Sequence, residues 1–126
     1  ECVGTERNIM FIETLMKMVT NNNGIVNDHT DRIIPVSKVL GFCLLTNNCV
    51  GMLFKEGIYS INEVYIGPDK MIHLSEWSIS GTVENEDLTT PKGIKTFNDF
   101  VSFKNRVIKR VVLLNGTTVK GGSYNE

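Results

Sequence analysis

The stretch over residues 41–54, GFCLLTNNCVGMLF, constrains the fold most, because two apolar runs flank the pair Asn47-Asn48. Asparagine tolerates positive φ better than any residue except glycine, so this pair can supply both left-handed positions of a type I′ hairpin turn. With those two residues as the whole turn, Thr46 faces Cys49, Leu44 faces Gly51 and Phe42 faces Leu53. Side-chain alternation then puts Phe42, Leu44 and Leu53 on one face and Cys43, Leu45, Val50, Met52 and Phe54 on the other. Both faces are apolar. An antiparallel hairpin normally leaves one face to water, so each side needs a cover. A helix of the chain can cover one face, and a second copy or docked partner is expected over Phe42, Leu44 and Leu53.

The remaining elements follow from periodicity. With 126 residues, 41% of them hydrophobic, the chain suffices for one domain with its own core. Residues 5–20 carry Ile9, Ile12, Leu15, Met16 and Val19 at three- and four-residue steps, which predicts a helix ended by Asn21-Asn22-Asn23-Gly24. Residues 25–32 are polar and read as a linker loop. A first strand runs over 33–45 with a bend or bulge at Gly41, and a second follows the asparagine turn. Strands over 58–66, 71–77 and within 78–84 are separated by short turns, which imposes antiparallel pairing. A second helix is capped at Thr96 and ends at Asn115-Gly116, burying Phe97, Phe100, Val101, Ile108, Val111 and Val112. The expected fold is α+β: an antiparallel meander of five to six strands crossed by a C-terminal helix and preceded by an N-terminal cap helix. Its parts are the cap helix (1–24), the linker (25–32), the sheet domain (33–120) and a flexible tail (121–126).

Charge and chemistry narrow the function. A net charge of −1 lacks the basic excess of a nucleic-acid binder, and no apolar run is long enough to span a bilayer. Three cysteines without a CxxC or Cys/His cluster point to neither a disulfide framework nor a zinc site, so buried thiols in a reducing compartment are expected. There is no glycine-rich phosphate loop, no paired carboxylates on one face and no nucleophile beside a base; neither catalysis nor a cofactor or metal is expected. Lys104, Lys109 and Arg110 crowd the end of the second predicted helix, where they complement the helix dipole or meet an acidic or phosphorylated segment.

Val36-Ser37-Lys38, followed by Gly41-Phe42-x-Leu44 and then Val50-Gly51-x-Leu53-Phe54, resembles the first strands of a polo box, the targeting domain of polo-like kinases. The resemblance covers roughly residues 33–54. It implies a six-stranded antiparallel sheet crossed by a C-terminal helix, and a role in recognition, with a Ser/Thr kinase domain elsewhere in the parent chain. It further implies a cytoplasmic protein at the centrosome or centriole in the cell cycle. The partner would be an acidic or phosphorylated segment, a second polo box, or a second copy, contacted through Val36, Lys38 and Val39. The family binds phosphopeptides through a Trp after Val-Ser-Lys in its first box and a His-x-Lys pair in its second. Val39 takes the Trp position, and Gly57 and Tyr59 fall where the pair would lie, which argues for docking or dimerisation instead. Two rival readings are a pleckstrin-homology-like lipid- or protein-binding domain, disfavoured by the uncharged Thr46-Asn47-Asn48 loop, and a small enzyme using His29 or His73.

Overall fold

A computed structural model describes residues 5–82, 87–102 and 106–121. In order, the chain forms α1 (Thr5–Thr20), β1 (Ile25–Asn27), β2 (Arg32–Ile34), a 3-10 turn (Val36–Lys38), β3 (Val39–Leu45), β4 (Val50–Glu56), β5 (Ile58–Ile66), β6 (Ile72–Gly81), α2 (Pro91–Phe100), β7 (Ile108–Leu113) and β8 (Thr118–Lys120). All eight strands join one sheet in the order β2-β1-β6-β5-β4-β3-β7-β8. The class is α+β as expected, but the sheet is larger than five or six strands and mixed, since β1 runs parallel to β6. The expected linker loop is itself the β1–β2 hairpin.

The asparagine turn forms with a shifted register. Asn47 and Asn48 both adopt positive φ, at 72° and 58°. The loop nevertheless holds three residues, because the Leu45 N–H bonds the Cys49 carbonyl at 2.9 Å and the register pairs Leu44 with Val50 and Phe42 with Met52. Thr46 leaves the hairpin because the segment before β7 takes up its hydrogen bonds. Its N–H donates to the Val107 carbonyl at 3.0 Å, and its Oγ1 accepts from the Val107 N–H at 3.1 Å. A one-residue change in register turns the whole of β4 over. Val50, Met52 and Phe54 thus join Phe42 on the α1 side, while Leu53 joins Cys43, Leu45 and Cys49 on the α2 side.

Chain reach makes the sheet curl. Ile34 and Val39 are five residues apart, at most about 18 Å of chain, yet β2 and β3 stand five strand spacings apart, about 24 Å if the sheet were flat. The sheet therefore wraps toward α1, and Arg32 of β2 reaches Glu56 of β4 through Nη1 and Oε2 at 2.9 Å. Inside the curl lie Ile12, Leu15 and Val19 of α1 with Ile25, Ile34, Phe42, Met52, Ile72 and Leu74. Outside it, α2 packs Ile94 and Phe97 on Leu45, Leu53, Ile61, Ile79 and Val111. Phe42, Leu44 and Leu53 are all buried inside the chain, so the expected bare face does not exist.

The second helix stops far earlier than its periodicity suggests. Gly93 N–H donates to the Thr90 side chain at 3.0 Å, capping α2 six residues ahead of Thr96. The helix ends at Phe100, and residues 108–113 form β7 instead of its second half. The β-branched run Val107, Ile108, Val111, Val112 fits an interior strand better than a helix. Asn98 fixes the changeover: its Nδ2 donates to the Ile108 carbonyl at 3.0 Å and its Oδ1 accepts from the Ile108 N–H at 3.1 Å, both buried.

Candidate functional site

At its β7–β8 end the sheet extends past α1 and leaves a groove. Ile9, Ile12, Glu13 and Met16 form the helix wall; Leu44, Arg110, Val112, Gly116 and Thr118 form the other, around a cavity of about 270 Å³. A β-bulge sets this lining. Arg110 pairs with Leu44 and Ile108 with Leu45, so Lys109 is an extra residue in β7. Ile108 and Val111 consequently pack toward α2, whereas Arg110 and Val112 face the groove. Ile9 is 41% and the adjoining Met10 65% exposed, an apolar edge to an apolar groove. Periodicity alone puts Ile9 and Met16 in a plain core stripe and residues 108–112 on a helix, so the groove has no signature in the sequence.

A polar cluster holds the opposite end of the sheet. His73 lies 2.7 Å from Asp28 through Nδ1 and 2.8 Å from Asp69 through Nε2, and the Tyr65 hydroxyl donates to Asp28 at 2.5 Å. The tyrosine ring stacks on the imidazole with centroids 5.2 Å apart. Hydrogen bonds donated to Asp28 and then to Asp69 raise the His73 pKa, and the same bonds lower both carboxylates. While it is protonated and donates from both nitrogens, this imidazole has no lone pair to offer a substrate. The cluster is a clasp joining the β1–β2 and β5–β6 turns. His29, in the β1–β2 turn, is exposed and is not part of it.

The predicted contact residues are not brought together. Val39 is buried in the α1-side core, and Val36 is half-buried against that core. Lys38 is exposed on the 3-10 turn, Lys109 occupies the bulge, Arg110 lines the groove, and Lys104 lies outside the described residues. Arg106 is held inside the fold: its guanidinium stacks on Trp77 at 4.7 Å and pairs with Glu63. Gly57 sits in the β4–β5 turn with φ at 82°, and Lys55 Nζ covers the Tyr59 ring at 4.5 Å. Cys49, expected as a free thiol, is disulfide-bonded, while Cys43 is free, fully buried, and has its pKa pushed up by desolvation.

Among the described residues no three His, Cys, Asp or Glu side chains are grouped to hold a metal ion, and no helix is long and apolar enough to cross a membrane. No protein-family model matches the chain, and neither a curated protein nor a solved structure shows significant similarity to it.

Proposed function

We propose that this chain is a non-catalytic protein-interaction domain that self-associates through the groove beside α1. The observation that carries the reading is the juxtaposition of Met10, the most exposed large apolar side chain among the described residues, with the groove edge formed by Ile9 and Glu13 one residue before it and three after it. A knob beside a hole is what a two-fold interface requires, since each copy then offers both halves of the contact. Methionine suits the role because an unbranched thioether adapts to an irregular groove. The likeness of residues 33–54 to a polo box agrees with an interaction role, although the contact surface is not the one that likeness implied. Phosphopeptide binding is disfavoured, because Val39, at the family's Trp position, is buried.

Methyl resonances test the surface directly. On dilution from millimolar to low micromolar protein, the methyl signals of Ile9, Met10 and Met16 should shift together, while those of Ile61 and Ile79 on the α2 side stay still. Shifts confined to the α2 side, or none anywhere, would remove the groove as the contact surface.

A further inference from the structure

Asn115-Gly116-Thr117 is the only Asn-x-Ser/Thr triplet in the chain, and such a triplet is the acceptor signal for N-linked glycans. It forms the tip of the β7–β8 hairpin, where Leu113 N–H bonds the Thr117 carbonyl and Gly116 N–H bonds the Leu113 carbonyl, each at 2.8 Å. All three residues are exposed. Asn115 Oδ1 accepts from the Thr117 N–H at 2.9 Å, so the carboxamide is held by its oxygen and its Nδ2 is the atom left for chemistry. A side-chain carbon added at Gly116 would meet nothing within 4 Å, which shows how open the tip is. Asparagine and glycine are also the residues the turn demands, since Gly116 has φ at 91°, so the triplet alone does not single out a glycan.

The second observation is independent of the triplet. Cys49 is disulfide-bonded, and structural disulfides persist in oxidising compartments such as the secretory lumen, where N-glycans are also attached. We infer that Asn115 is an N-glycosylation site and that the domain matures in the secretory pathway, not in the cytoplasm.

In the transfer, Asn115 Nδ2 forms a bond to the anomeric carbon of an oligosaccharide carried on a lipid diphosphate. The bond from that carbon to the phosphate oxygen breaks, the lipid diphosphate leaves with the electron pair, and Nδ2 gives one proton to a base of the transferase. The glycan would stand at the Gly116 end of the groove. Met10 is near the other end, because Asn8 bonds the Asn48 carbonyl beside the start of β4, while the register carries β7 from Arg110 opposite Leu44 to Leu113 opposite Gly41. Glycan and self-association are therefore compatible, and the inference does not depend on the groove.

The test uses the protein from the cells that make it. It is digested with trypsin, treated with peptide-N-glycosidase in heavy-oxygen water, and residues 111–120 are read by mass spectrometry. A heavy-oxygen aspartate at 115 is expected with the glycosidase and not in a parallel incubation without it, which separates enzymatic glycan release from spontaneous deamidation of the Asn-Gly pair. Thiols are alkylated on unfolded, unreduced protein in the same preparation, with Cys43 expected to be labelled and Cys49 not. An unmodified asparagine in nearly all copies of the peptide overturns the site. A labelled Cys49 overturns the compartment.

Discussion

His73 shows how single residues set the pH response. Its pKa is raised by Asp28 and Asp69, so its contribution to stability is fully present below the ordinary imidazole value of about 6.5 and is lost as pH rises through the elevated folded value. The two aspartates have lowered values, so their contribution is present above about pH 3.8 and is lost as pH falls through them. The clasp should thus be complete between roughly pH 4 and 6.5. Nuclear magnetic resonance titration of His73 in Asp28→Asn and in Asp69→Asn should give a lower pKa than in the parent in both cases. An unchanged value in both would mean that the clasp does not form in solution. None of this is legible in the sequence, where Asp28 and His73 are 45 residues apart and the intervening β1–β6 pairing is parallel. Gly41 is legible as a glycine inside a strand pattern, which marks a bulge or a close backbone approach: a side-chain carbon there would fall 2.3 Å from the Val112 carbonyl oxygen of β7, and the β3–β4 register shifts at that point.

At the scale of elements, the first helix is readable because burial imposes period 3.6 on its residues, and the strands over 50–66 because short apolar runs are bounded by turn residues. The second helix is misread from sequence because Phe97, Phe100, Val101, Ile108, Val111 and Val112 satisfy a helical period across what is in fact a helix, a loop and a strand. What breaks the period is Asn98, whose side chain occupies both backbone groups of Ile108. Asn98→Ala should lower unfolding free energy by on the order of 3 kcal/mol, since two buried backbone groups lose their partners. Phe97→Ala should cost about 3–5 kcal/mol through the cavity it leaves in the α2-side core. Chemical denaturation of the two variants checks both values. A loss below about 1 kcal/mol for Asn98→Ala, no more than one ordinary hydrogen bond, would contradict the bridge between α2 and β7.

For the whole molecule, the apolar hairpin correctly announces that both faces need a cover, but the choice of cover depends on register and curl. A one-residue change at Thr46 and a short link from β2 to β3 wrap the sheet around α1, so both covers come from the same chain. The groove left at the β7–β8 end exists only because the sheet is wider than the helix, a property of eight strands that no local pattern encodes. Self-association through that groove is the central functional claim, and sedimentation equilibrium of the parent chain and of Met10→Asp tests it most directly. The parent should approach twice the 14.1 kDa chain mass at high micromolar concentration, and Met10→Asp should sediment as a folded monomer with unchanged circular dichroism. A parent chain that stays at 14.1 kDa throughout, or a Met10→Asp variant as dimeric as the parent, would contradict it.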